Sequence, residues 1–163
     1  MVFRYTLRHV VPAAPQEVYD AWLSSRGHSA MTGLEAHVSA KVGAKFTACE
    51  DYITGTNIAL VPGKKIVQAW RSKEFAPGDP DSEITVTFAP LKAGTRITLV
   101  HANVPDGHTG YRKSGWRDFY FRPMTRYFAT LTAKAVAKTV RRAKKAKKKT
   151  ARAKSRKPAR KKR

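Results

Sequence analysis

Histidine, cysteine and carboxylate side chains are the groups with which this chain could move protons, attack a carbonyl or hold a metal. His9, His28, His37, His101 and His108 show no HExxH or other metal-binding spacing, which would set two imidazoles on one helix face. Cys49 is the only cysteine, so it has no partner for an intramolecular disulfide and no second thiolate for a metal site. Glu50 and Asp51 are adjacent. In a strand, adjacent side chains face opposite ways and cannot act as a carboxylate pair. Gly27-His28-Ser29-Ala30-Met31 fails the GxSxG nucleophile pattern at its last position, and neither a GxxxxGK[ST] phosphate loop nor a GxGxxG fingerprint occurs. No metal and no cofactor are expected, and catalysis has no positive signal. An enzyme would need a polar group of shifted pKa projecting into a cavity.

Electrostatics carry the stronger signal. The 163 residues have a formal net charge of +22, and residues 141–163 hold 15 of the 33 Lys and Arg with no acid. They are Arg141, Arg142, Lys144, Lys145, Lys147, Lys148, Lys149, Arg152, Lys154, Arg156, Lys157, Arg160, Lys161, Lys162 and Arg163, and residues 1–140 carry only +7. The segment has no large apolar residue, so burial cannot offset its ordering entropy and its like charges repel. It is predicted to be a disordered tail resembling that of a linker histone. Such a tail neutralises phosphates without reading bases, so non-specific nucleic acid, DNA or RNA, is the expected partner. A purely solubilising tail and one drawn to anionic lipid are the competing readings. The first five residues lack the apolar core of a signal peptide, and no run approaches the roughly 20 apolar residues of a membrane span. A cytoplasmic, nucleoid-associated protein is expected, nuclear in a eukaryote.

These groups need a scaffold, and residues 1–140 contain every Trp, Tyr and Phe of the chain. Phe3, Tyr5 and Leu7 alternate with polar residues, predicting a half-buried strand ended by Pro12 and Pro15. Pro15, with Glu17 and Asp20 near the positive end of the dipole, predicts a helix over 15–23, and a weaker one follows near 25–31. Strands are predicted at Lys45–Glu50 and Tyr52–Val61, then along Ile66, Gln68 and Trp70, along Ile84, Val86 and Phe88, and along Ile97, Leu99 and His101. Tight turns at Pro62-Gly63 and Lys92-Ala93-Gly94 make them an antiparallel meander. Trp116, Phe119, Tyr120, Met124, Tyr127, Phe128 and Leu131 recur at helical spacing and supply the helix that covers its apolar face. Pro123 should kink that helix, and Thr132–Val140 should prolong it. The fold class is α+β, a curved sheet gripping a C-terminal helix.

Several segments fall in an order that resembles a known family. They are Pro15–Trp22, His28-Ser29-Ala30 with Thr32-Gly33, Tyr52–Asn57, Val61–Lys64 with Ile66–Arg71, Gly78–Ser82, Thr95–Leu99 with Val104–Gly107, and Gly115–Phe121 with Pro123-Met124. Together they resemble the START-like (SRPBCC) superfamily, in the branch of the heat-shock-protein-90 ATPase activator homologues, over roughly residues 1–130. The resemblance implies a helix-grip fold with a cavity between sheet and helix. Within it, Phe46, Tyr52, Trp70, Trp116, Tyr120 and Tyr127 would line the cavity for a small apolar ligand; spacing alone allows a closed aromatic core equally. The eukaryotic activator carries an additional N-terminal chaperone-binding domain that does not correspond to any part of this sequence. The expected organisation is a START-like domain at 1–135 and a basic tail at 136–163, helical at its start and then disordered. The expected function is non-enzymatic: binding an apolar ligand or a protein partner while tethered to nucleic acid. A cyclase- or hydrolase-type enzyme and a co-chaperone of the heat-shock ATPase are the alternatives.

Overall fold

A computed structural model describes residues 2–155, with side chains described through Ala151. The chain divides into two compact units, Met1–Ala129 and Thr130–Arg163. In the first, strand β1 (Val2–Val11) leads into helices α1 (Pro15–Trp22) and α2 (Ser25–Thr32), followed by β2 (Lys45–Ala48), β3 (Ile53–Val61), β4 (Lys65–Ser72), β5 (Ser82–Leu91) and β6 (Gly94–Pro105). The six strands form one antiparallel sheet in the order β1-β6-β5-β4-β3-β2. A π-helical segment, Tyr111–Phe121, then runs directly into α3 (Arg122–Ser155).

Local chemistry accounts for the boundaries. The Glu17 carboxylate accepts the Ala14 N–H at 2.8 Å, closing the first turn of α1 above Pro15. Ser24 Oγ accepts the Gly27 N–H at 3.0 Å to start α2. Gly33 ends it at φ 78°, a left-handed conformation that suits a residue without Cβ. Gly55 is required for a different reason. A Cβ there would lie 2.1 Å from the Ala69 carbonyl and 2.5 Å from the Phe46 ring, so only glycine lets β2 and β4 close around this point of β3.

Alternation fixes which face is buried. Ile66, Gln68, Trp70 and Ser72 of β4 point inward, as do Ile84, Val86 and Phe88 of β5 and Ile97, Leu99 and His101 of β6. They meet Val18, Trp22 and Met31 from the first two helices, Trp116 and Tyr120 from the π-helical segment, and Met124 and Phe128 from the start of α3. His9 ties β1 to that start: its Nε2–H donates to Thr125 Oγ at 2.7 Å while its ring stacks on Phe121 at 4.9 Å.

Four sequence expectations are corrected. Strand β2 ends at Ala48, so Glu50 and Asp51 are not strand neighbours. Cys49, Glu50 and Asp51 instead adopt positive φ of 53°, 56° and 63°, reversing the chain into β3 through three left-handed non-glycine residues. Each such residue costs about 1–2 kcal/mol. Second, the helix preceding Pro123 is π-helical. Its π-helical bonding ends at Phe121, and Pro123 is the second residue of the α-helical part that continues directly from it. Third, the wider winding makes buried residues recur four to five positions apart, Gly115 and Trp116 and then Tyr120 and Phe121. Phe119 is thereby turned outward and is 49 % exposed. Leu131, assigned to the same covering face, is 43 % exposed.

The last correction concerns length. Helix α3 continues to Ser155, well past Val140. Ala, Lys and Arg all favour helix, and cations in the last turns complement the dipole. Arg156, Lys157, Arg160, Lys161, Lys162 and Arg163 lie outside the described residues.

Candidate functional site

The polar centre of the first unit is His101. Ser82 Oγ–H donates to the Trp70 carbonyl at 2.7 Å, which leaves Ser82 to accept from His101 Nε2–H at 2.8 Å. The opposite ring nitrogen, Nδ1, therefore accepts from the Tyr5 hydroxyl at 2.9 Å, and Trp116 Nε1–H reaches both Tyr5 Oη and Nδ1 at 3.2 Å. Every member is satisfied, and burial holds the imidazole neutral, its pKa lowered to about 3. The serine proton points away from the histidine, so Ser82 and His101 are not arranged as nucleophile and base. The space beside them measures only about 10 Å³, room for one water at most.

His28 is the second buried imidazole. Its Nδ1–H donates to the Trp22 carbonyl at 2.8 Å, while Nε2 is buried with no hydrogen-bond partner among the described residues. Burial lowers its pKa as well, outweighing the Trp22 carbonyl. Trp22 and His28 pack against Tyr120 at 5.5 and 5.6 Å.

The six aromatic residues singled out from sequence occupy four environments. Trp70, Trp116 and Tyr120 are buried in ring-to-ring contact, Trp70–Trp116 at 5.8 Å and Trp116–Tyr120 at 4.8 Å. Phe46 is buried over Gly55, and Tyr127 packs against Phe128 at 5.0 Å. Tyr52, half-buried, stands on the wall of an open cleft of about 500 Å³.

That cleft has two sides. One comes from Leu34 and the β2–β3 reversal with its neighbours: Cys49, Glu50, Tyr52 and Glu74. The other is the π-helical segment and its lead-in, Gly110, Tyr111, Ser114, Gly115 and Phe119. Strained backbone and π-helical turns each recur where a structure is shaped for function, and here they face each other. Behind the wall, the Cys49 thiol donates to Tyr120 Oη at 3.9 Å. Burial raises the pKa of that thiol, and pushes the Tyr111 and Tyr120 phenols well above the ordinary range. All three groups are neutral near pH 7, so the thiol is not an activated nucleophile. Sequence reasoning found Tyr52 here and missed the rest, because 3.6-residue periodicity placed Phe119 in the core and gave Tyr111 and Ser114 no role.

The second candidate surface is the basic helix. From Thr130 to Ala151 every side chain is exposed. At 100° per residue, Lys134, Lys138, Arg141, Lys145 and Lys148 share one side of α3. Arg141, Arg142, Lys144, Lys145, Lys147, Lys148 and Lys149 are all exposed on the helix, and Arg152 and Lys154 lie on its described backbone. No described helix is long and apolar enough to cross a membrane.

Comparison with known proteins fits this architecture. The chain is 27% identical over 125 residues to human activator of 90 kDa heat shock protein ATPase homolog 1, covering 77% of this chain and 37% of that protein. It is 29% identical over 112 residues to the corresponding Dictyostelium discoideum activator, covering 68% of this chain and 29% of that one. It thus spans about a third of the length of the curated relatives it matches. Among solved structures, an HSP90 activator from Plasmodium falciparum superposes with a TM-score of 0.66 at 24% identity, covering 73% of this chain and 91% of that one. A protein from Mesorhizobium loti gives 0.67 at 18% identity, covering 78% and 98%. These likenesses establish the helix-grip, START-like fold. Residues 12–129 match the sequence profile described as Activator of Hsp90 ATPase homolog 1-like protein, and the chain belongs to that family.

Proposed function

We propose that this protein is a non-enzymatic binding module whose cleft beside Cys49 takes a small, largely apolar ligand, and whose basic helix and tail hold it on nucleic acid. The observation that carries the first half is the cleft itself. Its volume of about 500 Å³ lies within the usual range for small-molecule sites, and Tyr52, Tyr111, Phe119 and Leu34 give its walls aromatic and apolar surface. The neutral Cys49 thiol and Tyr111 phenol on its walls favour binding over catalysis.

The charge distribution supports the second half. Neighbouring cations at i and i+4, such as Arg141 with Lys145 and Lys144 with Lys148, destabilise the helix that carries them. Phosphates would relieve that repulsion, so a polyanion is favoured thermodynamically as well as kinetically. Native mass spectrometry of protein purified in high salt tests both halves, by detecting a retained small molecule and residual nucleic acid together. Truncation after Val140 should abolish DNA binding and leave the thermal midpoint nearly unchanged; tight binding by the truncated chain would refute the assignment to the basic segment.

A second reading is partnership with the heat-shock chaperone, favoured by the names of the matched relatives. Capture of purified Hsp90 by the immobilised chain would support it, and no capture would end it.

A further inference from the structure

We infer that the cleft beside Cys49 selects an amphiphilic cation, a small molecule with an aromatic or apolar body and a protonated amine. This rests on the ligand-binding reading above and names the ligand class.

Three observations carry it. Lys and Arg outnumber Asp and Glu by 33 to 11 in the chain, yet the charged residues on the cleft wall are Glu50 and Glu74. The basic residues next in sequence to the wall, Lys73, Arg112 and Lys113, are exposed and do not line it. Second, the two carboxylates stand exposed on the wall beside aromatic surface from Tyr52, Tyr111 and Phe119. Ring faces attract a cation through their quadrupole, and a nearby carboxylate adds to that attraction. Third, the other polar groups bring no opposing charge: Cys49 and Tyr111 on the walls, and Tyr120 behind Cys49, are held neutral by burial. An apolar body would sit against Leu34 and Phe119, with its ammonium directed to Glu50 and Glu74. An anionic ligand of the same shape would meet two carboxylates and no compensating base.

The left-handed reversal is part of this device. Extending β2 through Cys49 and Glu50 would send their side chains to opposite faces of the sheet. Positive φ at both residues brings both onto one cleft wall instead.

The test uses three probes of matched size on the full chain: naphthylethylamine, naphthylethanol and naphthylacetate, followed by calorimetry and by amide shifts of Ser114 and Gly115. The amine should bind about tenfold more tightly than the alcohol, the scale of one cation–π contact plus a partly exposed ion pair. The carboxylate should bind more weakly than the alcohol. Added salt should shrink the amine's advantage. In the Glu50→Gln/Glu74→Gln double variant the preference should vanish while the alcohol keeps its affinity. Equal binding of amine and alcohol by the native chain, or a preference that survives in the double variant, overturns the inference and leaves the cleft a ligand site. Failure of all three probes removes the ligand-binding reading along with it.

Discussion

Lowering the pH from about 7 to about 5 perturbs the core selectively, because His101 lies there neutral between two hydroxyls. Its folded pKa is about 3, against about 6.5 in the unfolded chain. As the pH falls through 6.5 the unfolded state takes up a proton that the folded state refuses, so stability drops. The loss continues until the folded imidazole titrates near pH 3, and above pH 6.5 the contribution is flat. Within the window each pH unit costs about 1.4 kcal/mol. Allowing for partial protonation near 6.5, the step from pH 7 to pH 5 removes about 2 kcal/mol through this one residue. His28 and His9 are also lowered, chiefly by burial, and add in the same direction. Ordinary carboxylates titrate mostly below this interval.

Urea unfolding followed by tryptophan fluorescence at the two pH values measures the effect, since the midpoint should fall with little change in slope. His101→Gln separates His101 from the other histidines. It breaks a satisfied buried network and should cost about 1–3 kcal/mol at pH 7. Its further loss between pH 7 and pH 5 should then be about 2 kcal/mol smaller than that of the native chain. Parallel pH curves for the two proteins would refute the reasoning, by showing that the ring is hydrated or already charged.

Two further outcomes follow from the same geometry. Gly115→Ala places a Cβ 2.8 Å from the Tyr111 ring, which is wedged against Trp70 and Trp116 at 4.9 and 5.6 Å; overpacking should cost about 1–3 kcal/mol in urea unfolding and weaken any ligand of the cleft. Binding to a mixed-sequence duplex should weaken by roughly 10³–10⁵ between about 50 and 200 mM salt if about 6–10 phosphates are contacted, with a rise in circular-dichroism helix signal on binding as the i,i+4 repulsion is relieved; a shallow salt dependence would argue against the basic segment as the binding element.

Most of the scaffold was legible because its signals are local. Alternation at Ile66, Gln68 and Trp70, and again at Ile84, Val86 and Phe88, marks strands whose inward face is fixed by a period of two. Pro15 and Gly33 mark helix ends by the conformations they allow or forbid. What escaped were departures from standard geometry. Nothing in the residue types of Cys49, Glu50 and Asp51 announces three successive left-handed residues, since none is glycine. Their conformation is held from outside, by the Glu35 carbonyl accepting the Glu50 N–H at 3.1 Å and by the closure of β2 on β3.

The cleft escaped for the same reason, and the π-helical segment shows why. Read at 3.6 residues per turn, Trp116, Phe119 and Tyr120 belong to one buried face. Bonded i→i+5, the segment keeps Trp116 and Tyr120 inward and swings Phe119 out, opposite the strained reversal. Rewinding it as a regular α-helix would return Phe119 toward the core, already filled there by Trp70, Trp116 and Tyr120 at 0–2 % exposure. A close-packed interior does not admit another ring without strain. The core's own density therefore favours the wide helix, and the wide helix makes the opening. Sequence could name the aromatic residues; which of them pack and which face the cleft depends on a winding that only the filled core dictates.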